Sequence, residues 1–145
     1  MTNGCRYAVK AMMDIAASSN ENGIVKTREI AERKDISAAF LGKLVQRLIR
    51  AGLLKAYRGT SGGVALARPA NEINFKQIME AVDGQIPVSL CLTEPSKCAA
   101  EDICPFREVW TEAQVRQLRI LENTMLADLV NHAGELEAFL ENRCV

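Results

Sequence analysis

The run Gly59-Thr60-Ser61-Gly62-Gly63 restricts the chain more than any other stretch. It separates Leu53-Leu54-Lys55-Ala56-Tyr57-Arg58 from Val64-Ala65-Leu66-Ala67, two short runs with strand character. Its glycines suit a tight reversal, so an antiparallel hairpin is expected. What precedes it is helical. Tyr7, Ala8, Ala11, Met12, Ile15 and Ala16 have helical spacing to about Ser18 and end in the polar turn Ser19-Asn20-Glu21-Asn22-Gly23. A second helix is expected from Thr27 as N-cap, with Ile30 and Ala31 on its apolar face. Asp35-Ile36-Ser37 makes a short turn, and Ser37 caps a third helix carrying Leu41, Leu44, Val45, Leu48 and Ile49, stopped at Gly52. Helix, turn, helix and glycine hairpin in that order predict a mainly α fold, a winged helix-turn-helix with a small β-hairpin wing.

Further along, Asn74 can cap a helix from Phe75 to Val82 that ends at Asp83-Gly84. Residues 85–104 show little periodicity. Pro105 then suits the first turn of a long helix, on which Phe106, Val109, Trp110, Ala113, Gln117, Leu118 and Leu121 form a largely apolar stripe. A small winged helix has little surface to cover such a stripe, so the long helix is expected to pair two copies into a homodimer. A short helix from Met125 to Val130 should pack nearby, with the tail from Gly134 helical or frayed. The expected organisation is a winged-helix DNA-binding domain at 1–84, a cysteine-bearing loop at 85–104, dimerisation helices at 105–132 and a tail at 133–145.

Formal net charge is zero, but it is unevenly placed. Residues 1–70 hold twelve Lys or Arg against five Asp or Glu, and residues 71–145 hold six against thirteen. The first half is built to meet a polyanion, with double-stranded promoter DNA as the expected partner. Base reading falls to Ala38, Ala39, Phe40 and Lys43 at the start of the third helix. Thr27, Arg28, Ser37, Arg47, Arg50 and the wing residues Arg58, Gly59, Thr60 and Ser61 are expected to meet the backbone. Gly42, inside the third helix, either permits close approach to DNA or is tolerated drift. No nucleophile–base pair, phosphate loop or catalytic carboxylate pair is present, so an enzyme is not expected. No stretch approaches the roughly 20 apolar residues of a membrane span, and the start Met1-Thr2-Asn3-Gly4 lacks a secretory pattern. The cytoplasm, where thiols stay reduced, is the expected location.

Cys91, Cys98 and Cys104 share one polar stretch as Cys-x6-Cys-x5-Cys. Soft thiolates on a loop suit an iron–sulfur cluster. Structural zinc, which favours a tighter pair, a thiol–disulfide switch and unliganded cysteines stay open. Cys5 and Cys144 read as incidental. His132, the one histidine, lies far along the chain from the cysteines and reads as a surface or helix-end residue.

The ordered motifs carry a resemblance. Arg6-Tyr7-Ala8-Val9-Lys10-Ala11-Met12, Ile30-Ala31-Glu32-Arg33, Ile36-Ser37 to Leu41 and Leu44, Arg47-Leu48 through Gly52-Leu53, Arg58-Gly59 with Gly62-Gly63, Ala81-Val82-Asp83 and the cysteine loop together resemble the IscR/NsrR/CymR family of winged-helix transcription regulators. The similarity covers about residues 4–132 and is strongest to its iron–sulfur cluster branch, IscR. It implies a homodimer with crossed long helices and a cluster held by Cys91, Cys98 and Cys104, 2Fe–2S rather than 4Fe–4S, tuning promoter affinity. The alternatives it allows are a thiol–disulfide redox switch on the same cysteines and a CymR-like regulator acting through a protein partner. The chain departs from the iron–sulfur branch in three places. Arg107 stands where a histidine ligand is expected, the first cysteine gap is one residue longer, and Gly42 replaces a glutamate. A guanidinium stays protonated and is a poor ligand. A fourth donor would then come from Glu101, Asp102 or Glu108, or from the partner's first helix near Cys5.

Overall fold

The computed structural model describes residues 2–18, 23–92 and 104–143. In chain order these form α1 (Asn3–Ala17), α2 (Thr27–Lys34), α3 (Ala38–Arg50), β1 (Leu54–Tyr57), β2 (Gly63–Leu66), α4 (Phe75–Asp83), α5 (Arg107–Asn123) and α6 (Leu126–Arg143), with 3-10 turns at Ala70–Glu72 and Leu90–Leu92. The order is that of a winged helix followed by two further helices, as the hairpin and its preceding helices predict.

Local chemistry explains most boundaries. The Thr2 hydroxyl caps α1 by accepting from the Cys5 amide at 3.1 Å. The turn between α2 and α3 is made by Asp35, the one non-glycine residue with positive φ among those described, at 51°. It lets the Ile36 amide reach back to the Ala31 carbonyl at 2.9 Å, and Ile36 is buried. Gly52, at φ 71°, ends α3 the same way, with the Gly52 and Leu53 amides on the Ile49 and Leu48 carbonyls. Asn74 and Gln77 form a reciprocal capping box at the start of α4. Two expected caps differ. Thr27 is the first helical residue of α2, not its cap, and the Ser37 hydroxyl makes no capping bond although Ser37 holds the cap position.

The hairpin is antiparallel, with Leu54 opposite Leu66 and Tyr57 opposite Gly63. Val25 joins its other edge through two backbone bonds to Val64, at 2.8 and 2.9 Å, a pairing the local pattern did not announce. Only the base of the wing is fixed to the core: Leu54, Val64 and Ala65 are buried, while Lys55 through Ser61 are exposed.

The core is one cluster. Ala8, Met12 and Ile15 of α1 meet Leu41, Leu44 and Leu48 of α3, Leu53 and Leu54 of the wing, and Ile78 of α4. Leu126, fully buried, joins them from α6. That helix is longer than the expected 125–130 segment and runs on through the expected tail. Its start is fixed by a bridge between Asn74 and Met125, in which the Phe75 amide donates to the Thr124 carbonyl and the Leu126 amide to the Ile73 carbonyl, both at 2.8 Å. Asp128 Oδ2 accepts from the Met125 amide at 3.0 Å. The long helix α5 begins at Arg107 rather than Pro105, because Pro105 and Phe106 form the preceding turn.

α1 and α2 are tied by Asp14, whose side chain is only 9% exposed and faces Arg33 Nε and Lys34 Nζ, both at 3.1 Å. Burial by itself would raise the Asp14 carboxyl, but the hydrogen bonds from Arg33 and Lys34 outweigh it and hold the group below its ordinary 3.8. A carboxyl held low in the folded chain contributes stability above the unfolded value, and that contribution is lost as pH falls through the folded value. Asp14→Asn is therefore expected to cost about 1–2 kcal/mol at neutral pH. The difference from the wild-type chain should shrink below pH 3.8. Urea midpoints across the acid range measure it, and a difference that stays constant there contradicts the assignment.

Candidate functional site

α3 and the wing put one exposed face on the molecule. Ser37, Ala38, Ala39 and Lys43 are exposed along the first turns of α3. Phe40 is 39% exposed and rests edge-on against Tyr7 of α1, with ring centroids 6.0 Å apart, so its direction is fixed from behind. No heavy atom lies within 4 Å of a Cβ built at Gly42, so the glycine is not required by anything inside the chain. Arg50, Arg58, Gly59, Thr60 and Ser61 are exposed. Between α2 and α3 a groove is lined by Thr27, Arg28, Ala31, Glu32, Asp35, Ile36 and Ala38.

Ion pairing narrows the basic character that composition spreads over the first half. Arg28 faces Glu32 at 3.0 Å, and both side chains are so exposed that the pair adds little stability. Arg33 and Lys34 face Asp14. Arg47, expected to meet the DNA backbone, instead donates from Nη1 to the Val82 carbonyl at 2.7 Å. Lys43, Arg50, Lys55 and Arg58 form no ion pair with a described residue. Arg6, Lys10, Lys26 and Arg68 also lack one, so unpaired positive charge among the described residues of the first half lies on α3 and the wing together with α1, the approach to α2 and the end of the hairpin. Lys55 was missed from sequence; strand alternation, which places it on one side with Tyr57, was the signal for it.

Two of the three clustered cysteines are described, and Cys98, Glu101 and Asp102 lie outside the described residues. Cys91 is half-buried in the Leu90–Leu92 turn, its Sγ 3.1 Å from the Ser89 hydroxyl. Cys104 is half-buried ahead of α5, and its carbonyl accepts from the Arg107 amide at 3.2 Å. Cys5 is different. It is fully buried, and its thiol is pushed up to about 11 by that burial first and by the Asp83 carboxylate second, against the pull of the amino terminus. It stays a protonated core thiol. His132 and Glu108 are exposed. Among the described residues no three His, Cys, Asp or Glu side chains are gathered for a metal ion.

The approach to Cys91 is held by α5. The Gln114 side chain accepts from the Val88 amide at 2.7 Å and donates to the Ile86 carbonyl at 3.0 Å, and Gln117 donates to the same carbonyl at 3.4 Å. A groove of about 320 Å³ lies beside this contact, with Lys76, Leu92 and Leu118 among its walls. α5 thus divides the expected apolar stripe. Gln117 bonds to the chain's own segment, and Leu118 and Leu121 lean on the body of the chain. Phe106 (65%), Val109 (61%) and Trp110 (39%) are exposed, Ala113 is half-buried beside them, and Ile120, absent from the expected stripe, is 66% exposed on that outer side. No described helix is long and apolar enough to cross a membrane.

A family model described as Rrf2, iron-dependent transcriptional regulator, matches residues 1–132. The HTH-type transcriptional regulator IscR of Pectobacterium atrosepticum is 37% identical over 132 residues, covering 91% of this chain and 79% of that protein. Among solved structures, the fold is similar to CymR, the global cysteine regulator of B. subtilis, with a TM-score of 0.77 and 28% identity over 91% of this chain and 96% of that one. It is also similar to T. potens IscR, with a TM-score of 0.71 and 29% identity over 94% and 89%.

Proposed function

Because the chain belongs to the Rrf2 family of transcriptional regulators, we propose that it grips promoter DNA through α3 and its wing, with an iron–sulfur cluster on Cys91, Cys98 and Cys104 tuning that grip. It is a regulator and not an enzyme, and regulators of this family bind DNA. The observation that carries the DNA assignment is the gathering of Lys43, Arg50, Lys55 and Arg58, without ion-pair partners among the described residues, on the exposed side of α3 and the wing. Ala38, Ala39, Phe40 and Lys43 lie where a recognition helix reads base edges, and Ser37, Thr60 and Ser61 offer hydroxyls to phosphates. Thr27 and Arg28 border the groove between α2 and α3.

In this reading residues 1–84 hold DNA, 85–104 carry the cysteines, 105–132 pair two copies and 133–145 form the tail, of which α6 takes in the part up to Arg143. The outer face of α5, with Phe106, Val109, Trp110 and Ala113 joined by Ile120, supports pairing, because exposed apolar side chains so close together favour a partner surface. The donor chemistry supports the cluster: Cys91 and Cys104 are half-buried at the two ends of one segment, unlike the sealed Cys5, and thiolates suit iron–sulfur groups. The family's iron-dependent description and the IscR relative point the same way. Bound there, the group supplies reversible redox chemistry and a dependence on iron supply. Arg107, a guanidinium at the start of α5, is a poor metal ligand.

Cys91 and Cys104, free and half-buried, support one second reading, in which the same thiols switch by disulfide formation. The visible absorption spectrum of the chain purified without oxygen separates the two. Broad sulfur-to-iron charge-transfer bands are expected, lost in Cys98→Ala. A protein that stays colourless after reconstitution with iron and sulfide overturns the cluster and leaves the thiol switch.

A further inference from the structure

We propose that Arg47 is a positioning residue that ties α3 to the cysteine segment through the end of α4, so that DNA on one face and Cys91 on the other alter each other. The proposal rests on the DNA-binding reading of α3 and the wing and does not depend on the cluster.

The last carbonyls of a helix have no partner within it. At α4 one of them, that of Val82, accepts from Arg47 Nη1 at 2.7 Å, a charge-assisted bond placed where the helix dipole favours a cation. A group on the exposed side of α3 is thereby committed to the end of another helix. The next residue, Asp83, is held by the Thr2 amide and hydroxyl at the head of α1. Gly84, at φ 77°, turns the chain away. Gln114 then fixes Ile86 and Val88, and the Ser89 hydroxyl lies 3.1 Å from Cys91 Sγ. Between α3 and Cys91 the chain is thus fastened at Val82, Asp83, Ile86, Val88 and Ser89. A displacement of α3 on DNA pulls on the Val82 carbonyl, and the segment beyond Gly84 carries that displacement to Cys91. Linkage requires the converse: whatever rearranges Cys91 shifts the affinity for DNA.

The test uses the full chain, metal-free and reduced, with a duplex enriched by in vitro selection on the wild-type protein. Iodoacetamide alkylation of Cys91 is followed by peptide mass spectrometry with and without saturating duplex, and affinity is measured across a salt series. In the wild type the duplex is expected to change the Cys91 rate by at least about fivefold, the low end of couplings between sites. In Arg47→Ala and in Gln114→Leu the change should fall below about twofold, with the salt slope of binding kept at its wild-type value. The proposal is overturned if the wild-type rate ignores the duplex or if the change survives in Arg47→Ala. It is equally overturned if Arg47→Ala lowers the salt slope by about one, the mark of a lost phosphate contact. Should circular dichroism show that Arg47→Ala does not fold, Gln114→Leu decides by the same rate criterion. Failure of the cluster reading shows separately, as absence of iron and sulfide in the anaerobic protein.

Discussion

Gly63→Ala is expected to destabilise the chain by about 3 kcal/mol and to weaken DNA binding sharply. A Cβ at this position would lie 2.4 Å from the Val25 carbonyl oxygen and 2.7 Å from its carbon, both backbone atoms that no rotamer change can remove. The strand contact between Val25 and Val64 must open or β2 must shift, and β2 carries the buried Val64 and Ala65 that fix the wing. Gly42→Ala is the matched control. It has nothing within 4 Å and sits inside α3, so the same added methyl should stabilise by about 1 kcal/mol through helix propensity. Urea denaturation of the two variants decides the matter: opposite signs are expected, and a Gly63→Ala loss under about 1 kcal/mol would mean that the backbone there yields easily.

Leu126→Ala should cost about 3 kcal/mol, as much as truncating a central leucine of α3. Leu126 is fully buried, stands in the same apolar cluster as Met12, Leu48 and Ile78, and follows the Asn74–Met125 bridge directly. Its removal leaves a cavity where α6 closes the winged helix. Thermal or urea unfolding of the full chain provides the number. A loss of only a few tenths would show that α6 rests on the surface and contributes nothing to the core.

The contrast between what was legible and what was not follows sequence distance. Asn74 with Gln77, Gly52 after α3 and the glycine hairpin are signals carried by neighbours within a few residues, and each appears where expected. Thr27 failed as a cap because the helix begins one residue earlier than its hydroxyl needs, with Lys26 at the cap position and no side-chain capping bond there. Val25 against Val64, Leu126 in the core, Arg47 on Val82 and Gln114 on the backbone at 86–88 join segments far apart in sequence, and nothing in local periodicity encodes them. The apolar stripe of α5 was visible, but not its division, since periodicity gives a face without saying which edge of it the chain's own residues cover. Cys98 falls outside the described residues, and its role rests on the family resemblance of the cysteine loop.

Cys5 gives the molecule an internal clock. Its thiol is sealed in the core and held protonated, so a thiol reagent reaches it only when the head of α1 opens away from the core. Cys91 and Cys104, half-buried outside that core, answer to events that leave the fold intact. A single labelling time course therefore keeps two records on one chain: fast entries register the condition of the cysteine segment, and the slow entry at Cys5 registers the opening of α1 from the core.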